Sequence, residues 1–212
     1  MQLLKFDNFH RLFFLSAGCV LILILAGCAP TPPKNMNNAC AIFKDKSGWY
    51  KSAKKSYKKW GIPIHIQLAI MRQESKFIYD ARPPRRKLLW IIPWSRLTTA
   101  YGYAQAKDST WDWYVKKSGN RGADRDDFCD AVDFIGWYGN VSARILGISR
   151  ADAYNQYLAY HEGHGGFKKQ TYLKKKWLIK VARKVAKDAE CYRVQLASCE
   201  QSLDTGWWFW PF

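Results

Sequence analysis

The sequence lacks several patterns, and each absence excludes a class of structure. No segment alternates apolar and polar residues over the length of a strand, so we predict an all-α fold with at most a small hairpin in a loop. The longest apolar run, Leu12–Ala26, has 15 residues, which is short for a membrane-spanning helix. The composition, 48% hydrophobic and 16% aromatic, excludes disordered and collagen-like chains. A chain of 212 residues is expected to form one domain.

The first 27 residues have the pattern of an export signal. Lys5 and Arg11 form a basic start, and the apolar run ends in Leu25-Ala26-Gly27-Cys28, which resembles the signal of bacterial lipoproteins. In that interpretation residues 1–27 are removed and Cys28 carries the lipid. The alternative is an uncleaved N-terminal anchor with an ordinary buried cysteine. Both interpretations place the folded part outside the cytoplasm.

Acidic residues are scarce: 17 Asp and Glu stand against 34 Lys and Arg, a formal charge of +17. Such a surface attracts polyanions. Nucleic acid is the usual partner for this balance, but export argues against it and leaves anionic lipid and peptidoglycan carboxylates. The alternative is that much of the charge keeps the protein soluble, as expected of the lysine runs at 54–59 and 174–176 on helix-like segments.

Four cysteines remain besides Cys28 and the one in the signal, and none forms a Cys-x-x-Cys pair typical of metal sites. An even number in an oxidising compartment suggests two disulfides. If the last helix contains Cys191 and Cys199, a rise of ~1.5 Å per residue separates them by about 12 Å, too far to bond. Because chain ends commonly lie close together, we predict the pairs Cys40–Cys199 and Cys129–Cys191.

Helical periodicity divides the remainder of the chain. Residues 28–38, rich in Pro and Asn, are expected to be a tether, residues 39–200 one helical domain, and residues 201–212 an aromatic tail. Helices are expected over Cys40–Trp60, 63–78, Ser109–Lys117, Asp126–Ile145, from Ser149, and from about Tyr172 to Cys199. Three prolines make Arg82–Arg96 a loop, which is a lid, a membrane-contacting wedge or a small packed subdomain.

Glu74 occupies an unusual place on its predicted helix. Ile70, Met71, Phe77 and Ile78, three and four residues away, place its carboxyl on an apolar stripe. Burial raises the pKa of a carboxyl group, which keeps it protonated near neutral pH and able to donate a proton to a glycosidic oxygen. The alternative is a glutamate at the helix edge that pairs with a nearby arginine.

Three short motifs follow one another along the chain. They are Gln73-Glu74-Ser75-Lys76-Phe77, Ala100-Tyr101-Gly102-Tyr103-Ala104-Gln105 and Ala159-Tyr160-His161-Glu162-Gly163. Over about residues 60–190 the chain resembles the soluble lytic transglycosylase family, whose fold is that of goose-type lysozyme. The resemblance implies an all-α, lysozyme-like domain with a groove for peptidoglycan glycan strands. It also implies cleavage of the β-1,4 bond between N-acetylmuramic acid and N-acetylglucosamine, with 1,6-anhydro ends and no cofactor.

The resemblance also assigns roles to individual residues. Glu74 is the single acid and base, Ser75 orients the sugar or the glutamate, Gln105 contacts the glycan and Tyr160 steers the carboxyl. Further groove residues are expected among these polar and aromatic side chains: Tyr101, Tyr103, His161 and Glu162. Because Trp111 and Trp113 are two residues apart on one helix, at least one is expected to be exposed or to face the groove.

Two positions depart from the family pattern. Tyr103-Ala104 replaces the middle of the usual Gly-Leu-Met-Gln, and His161 stands where asparagine is usual, although imidazole also donates and accepts hydrogen bonds. No metal is expected, because His161 and His164 lack the four-residue spacing of zinc motifs. Glu162, Asp80 and Asp108 are the candidates for a second carboxylate, which a hydrolysing glycosidase needs and a transglycosylase does not.

Two other functions stay open, a hydrolytic lysozyme and a non-cleaving wall-binding or secretion-scaffold protein. A buried acid argues against the scaffold, since a binder does not need it. Ala29 after the lipidated cysteine favours the outer membrane of a Gram-negative cell and a domain in the periplasm. The tail Gly206–Phe212 is too short to span a bilayer, and we expect it to supplement the lipid anchor at the membrane interface or to pack onto the domain.

Overall fold

The computed structural model describes residues 30–88, 92–96 and 98–205, with backbone alone for the strand residues between 85 and 96. The chain forms two units, Met1–Pro30 and Thr31–Phe212. The expected signal peptide, Cys28 and the aromatic tail after residue 205 lie outside the described residues, so the expectations about lipidation and membrane insertion stay predictions.

Helices form most of the described chain, which confirms the all-α prediction. They are α1 Ala39–Asp45, α2 Trp49–Trp60, α3 Ile64–Ser75, α4 Asp108–Ser118, α5 Phe128–Leu146, α6 Ala153–Lys168 and α7 Lys176–Asp204, with a 3₁₀ turn at Thr171–Lys174. Strands β1 Arg85–Leu88 and β2 Ile92–Arg96 form one antiparallel hairpin in the loop where the sequence allowed one. Within the described ranges, no helix has both the length and the hydropathy needed to cross a membrane.

Two of the differences from the predicted helix boundaries have a clear local cause. The single helix expected over Cys40–Trp60 is broken, because Gly48 adopts a left-handed conformation with φ 83° between α1 and α2. The helix expected from Ser149 begins instead at Ala153, because the carboxylate of Asp152 accepts a hydrogen bond from the backbone N–H of Asn155 and caps the helix there.

Helix α5 lies at the centre of the domain. It packs against α2, α3, α4 and α6, and its buried residues include Phe128, Val132 and Ile135, the positions expected at core spacing. Helix α7 packs on the outside against α1, α3 and α6. The end of α3 and the side of α6 are thereby held next to each other.

One of the two predicted disulfides is present. Cys40 on α1 is bonded to Cys199 on α7, which agrees with the predicted pairing of the ends of the domain. The pairing of Cys129 with Cys191 was wrong, since both are exposed free thiols. Cys129 lies against α2, its Sγ 2.8 Å from the Oγ of Ser52, whereas Cys191 is on the exposed side of α7. The even number of cysteines did not imply that every one is paired.

The segment expected to be a tether belongs in part to the folded unit. Pro33 is buried, and the hydroxyl of Tyr192 on α7 donates a hydrogen bond to the carbonyl of Met36. The side chain of Asn38 caps α1 by accepting a hydrogen bond from the N–H of Ala41 at 2.9 Å. The residues from Pro33 to Asn38 are therefore bound to the domain and do not act as a free linker.

Candidate active site

Glu74 lies in the last turn of α3. The helix ends one residue later, at Ser75, because Lys76 and Phe77 both have positive φ, 54° and 59°, and the chain turns away. The buried side chains of Met71 and Phe77 enclose this turn.

The environment of Glu74 is that of a proton donor. Burial raises the pKa of Glu74 to about 7, while a hydrogen bond from Tyr157 acts in the opposite direction. The residue is nevertheless partly exposed, so substrate can reach it. Glu74 forms no ion pair with any described residue, and Arg72, the nearest arginine in sequence, pairs with Asp188 at 3.7 Å. These contacts do not support the alternative that Glu74 pairs with an arginine at the edge of the helix.

Glu74 opens into a groove of about 380 Å³ to which all three sequence motifs contribute. The second motif and the start of α4 line one side, through Gln105 and Lys107. Helix α6 lines the other side, through Tyr160 and His161. The side chains of α5 that reach the groove are Phe134 and Tyr138.

The second motif is held in a tight turn at Gly102. Its φ is +76°, and a Cβ there would lie 2.0 Å from the carbonyl oxygen of Arg125, so only glycine fits. The turn brings Gln105 to the groove, where its Nε2 donates to the carbonyls of Ala81 at 2.8 Å and Gly102 at 2.9 Å. These hydrogen bonds fix the orientation of the amide.

The third motif acts through two tyrosines on α6. The hydroxyl of Tyr160 donates to the carbonyl of Ala104 at 2.5 Å and thereby joins the third motif to the second. Burial and the nearby charge of Glu74 hold the pKa of Tyr160 well above its ordinary value, so it stays protonated. The direct hydrogen bond to Glu74 comes from Tyr157, whereas the hydroxyl of Tyr160, expected to steer the carboxyl, binds the Ala104 carbonyl.

Glu162 borders the groove, but its carboxylate is used within the protein. The side chain is 3% exposed and accepts hydrogen bonds from Lys175 at 2.6 Å, from His161 at 3.2 Å and from Thr171. Burial acts against the ionised form, but these hydrogen bonds outweigh it and keep the pKa of Glu162 below its ordinary value. The carboxylate predicted to bind substrate thus ties the turn before α7 to α6.

Three other residues expected to bind substrate lie away from the groove. Ser75 is 4% exposed, and its hydroxyl donates to the carbonyl of Met71 at 3.2 Å. Tyr103 is 2% exposed and packs in the core. Tyr101 donates to the carboxylate of Asp126 at 2.8 Å on another side of the loop. The turn at Gly102 directs neighbouring side chains to different sides, which is why only Gln105 of this motif's predicted contacts reaches the groove.

The aromatic residues of α4 and the remaining carboxylates are also absent from the groove lining. Trp111 is 7% exposed, and Trp113 packs edge-on against Trp137 with ring centroids 4.6 Å apart, so neither is exposed or groove-facing as expected. Trp111 packs against Phe134 of α5, and Trp113 also contacts His164 of α6. Asp108 pairs with Arg125 at 2.7 Å.

Sequence reasoning missed Tyr157, the residue that contacts Glu74. A signal was available, because Tyr157 precedes Tyr160 by three residues and His161 by four, which places all three on one side of α6.

The two histidines of the third motif region, His161 and His164, have separate partners. His161 contacts Glu162, and His164 Nε2 lies 2.9 Å from the hydroxyl of Ser142. Across the described ranges, no group of three or more His, Cys, Asp and Glu is suited to hold a metal ion.

Comparison with known proteins agrees with this geometry. The family model of the transglycosylase SLT domain matches residues 16–199, a range that contains all three motifs. No curated protein and no solved structure matches the chain.

Proposed function

We propose that this chain, which belongs to the transglycosylase SLT domain family, is a lytic transglycosylase that cleaves peptidoglycan between N-acetylmuramic acid and N-acetylglucosamine. The family supports lytic transglycosylase activity on peptidoglycan. The proposal adds the product, a 1,6-anhydro end on the muramic acid, and the use of a single acid.

The proposal depends on one observation, that Glu74 faces the groove as an isolated carboxyl group with a pKa raised to about 7. The other carboxylate that borders the groove, Glu162, is buried and bound to Lys175. Glycosidases that hydrolyse normally use two carboxylates, the second to activate water or to attack the sugar. A groove with one available carboxyl fits a reaction in which the substrate supplies its own nucleophile.

Glu74 would serve in both halves of this reaction. The protonated carboxyl gives its proton to the glycosidic oxygen as the bond from that oxygen to the anomeric carbon breaks. The resulting carboxylate takes the proton from the C6 hydroxyl of the same muramic acid, whose oxygen attacks the anomeric carbon and closes the anhydro ring. No water is consumed, and Glu74 ends protonated as it began. The hydrogen bond from Tyr157 stabilises the carboxylate formed between the two steps.

We further propose that the enzyme works in the periplasm, anchored through a lipid on Cys28 to the outer membrane. The disulfide between Cys40 and Cys199 supports an oxidising compartment. The formal charge of +17 suits a substrate and a membrane surface that both carry negative charge.

The test is digestion of purified peptidoglycan with the non-lipidated protein, followed by mass analysis of the products before and after borohydride reduction. Anhydro ends resist reduction, and we expect them as the main product. The matched control is Glu74→Gln, which should release nothing above background. Reducing ends would instead identify a hydrolytic lysozyme, and no release by the unaltered protein would identify a non-cleaving binder.

A further inference from the structure

The first turn of α7 exposes a tryptophan beside the groove. Trp177 is 56% exposed, an unusual state for so large an apolar side chain. Its neighbour Leu178 is fully buried and occupies the inward position, so the indole is directed outward. An exposed aromatic side chain on its own has no functional meaning, and what matters here is what Trp177 contacts.

Trp177 contacts a residue of the groove wall. Its ring meets the imidazole of His161 nearly edge-on, with centroids 5.2 Å apart and planes 80° apart. His161 itself lines the groove that contains Glu74. The exposed indole therefore stands at the rim, directly next to a groove residue.

The segment that precedes Trp177 is held by the buried carboxylate described above. Glu162 binds Lys175, two residues before Trp177, and also Thr171 at the start of the 3₁₀ turn. Because Glu162 adjoins His161, the same carboxylate ties both sides of the Trp177–His161 contact together. A rigid aromatic surface loses little conformational freedom when a ligand binds, which favours affinity.

We propose that Trp177 is a stacking platform for a sugar ring of the glycan strand, forming a binding subsite beyond the part of the groove that contains Glu74. The inference rests on the proposed function for the identity of the strand. A glycan strand extends beyond the two sugars at the scissile bond, so it must leave the groove over a rim. The C–H faces of a pyranose ring are apolar and pack on the face of an indole, whose polar N–H can remain in water.

The charges around the platform suit the same ligand. Lys174, Lys176 and Lys180 are exposed close to Trp177 in sequence. The peptides that branch from the muramic acids of peptidoglycan carry carboxylates, which these ammonium groups attract. Trp177 therefore favours long strands over short ones, and the three lysines favour strands that carry peptides over bare ones.

The experiment measures binding in a Glu74→Gln background, so that no strand is cleaved. Isothermal titration calorimetry with peptide-free glycan strands of increasing length should show a gain in affinity at the length that reaches Trp177. In Trp177→Ala this gain is reduced about three- to tenfold, the range expected of one aromatic contact, while short oligosaccharides bind unchanged. Trp177→Tyr, which keeps an aromatic face, should restore most of it.

Val194→Ala is the matched control, because Val194 is 57% exposed on the same helix and far along it from the groove. Its affinities should equal those of the background protein. Unchanged binding of long strands by Trp177→Ala, or an equal loss for short and long ones, would overturn the proposal. A Trp177→Ala variant that binds glycan strands normally but loses binding to phosphatidylglycerol vesicles would also overturn it, because Trp177 would then contact membrane. Because binding is measured without cleavage, this experiment tests the role of Trp177 even if product analysis rejects the transglycosylase reaction.

Discussion

The hydroxyl of Tyr157 donates a hydrogen bond to the carboxyl of Glu74. Burial raises the pKa of Glu74, and this hydrogen bond lowers it, with about 7 as the result. Burial and the charge of Glu74 both raise the pKa of Tyr157, so Tyr157 remains a donor throughout the working pH range. The proton affinity of Glu74 is therefore set by two opposed effects, and each can be changed separately.

Removing the Tyr157 hydroxyl tests this balance. In Tyr157→Phe the hydrogen bond that stabilises the carboxylate is lost, so the pKa of Glu74 rises. We expect the alkaline limb of kcat/KM against pH to move upward by roughly one pH unit, the equivalent of one hydrogen bond to a charged group. Tyr160→Phe is the control, since that hydroxyl binds the carbonyl of Ala104. An unmoved limb in Tyr157→Phe would show that the hydrogen bond does not tune Glu74.

The pH dependence of the unaltered enzyme follows from the same pKa. Glu74 must be protonated when substrate binds, so kcat/KM should be constant below pH 7 and fall about tenfold per pH unit above it. Initial rates on soluble glycan strands would give the profile. An additional acidic limb, indicating a second carboxylate that must be ionised, would contradict the single-acid mechanism.

Glu74→Gln should reduce cleavage by at least about 10²- to 10⁴-fold, the usual contribution of a general acid. Glutamine keeps the size of the side chain but neither donates the proton nor accepts one from the attacking hydroxyl. Glycan binding and the circular dichroism spectrum should be unchanged. Asp80→Asn and Asp108→Asn are the matched controls, and we expect near-normal turnover in both. If one of them proved as indispensable as Glu74, the assignment of the acid would be wrong.

Glu74 should also make stability depend on pH. Its pKa in the folded protein, about 7, is above the ordinary value of 4.5, so the folded state holds a proton that the unfolded state releases. The associated stability is present below pH 4.5 and is lost as pH rises through 7. Glu74→Gln should therefore raise the free energy of unfolding at pH 8 by up to about 3 kcal/mol. Urea unfolding at pH 4 should show no such gain, and equal gains at both pH values would exclude this cause.

The disulfide provides a separate test of the fold. Replacing Cys40 and Cys199 by serine should lower the free energy of unfolding by about 2–4 kcal/mol, since the bridge constrains a long loop of the unfolded chain. The control replaces Cys129 and Cys191, the exposed thiols, and should leave stability unchanged. Thiol labelling of the unreduced protein should modify these two cysteines. Their protection from the label would indicate that they are paired after all.

Much of the site follows from the sequence because its signals are local. Helical periodicity places Glu74 on an apolar stripe, and an apolar neighbourhood raises the pKa of a carboxyl whatever the details of packing. The pairing of Cys40 with Cys199 also followed from general geometry, since a helix holds Cys191 and Cys199 too far apart and chain ends meet.

Tertiary structure alone decided which neighbours surround Glu74. Periodicity places Tyr157 and Tyr160 on one side of α6 but does not assign their partners. The turn at Gly102 positions the Ala104 carbonyl to accept from Tyr160, and Tyr157 hydrogen-bonds to Glu74. Hydrogen-bond partners depend on where separate elements meet, and no local pattern encodes that position.

The same reason explains the residues whose roles changed. Tyr103 is an aromatic residue in a motif predicted to bind glycan, yet it packs edge-on against Trp49 at the start of α2. In the sequence Glu162 is a candidate for a second carboxylate. In the structure the turn before α7 places the Nζ of Lys175 2.6 Å from its carboxylate. The sequence by itself determined most of the helices and the apolar surroundings of Glu74, because periodicity and desolvation act locally. The packing of α5, α6 and α7 decided which polar and aromatic side chains face the substrate.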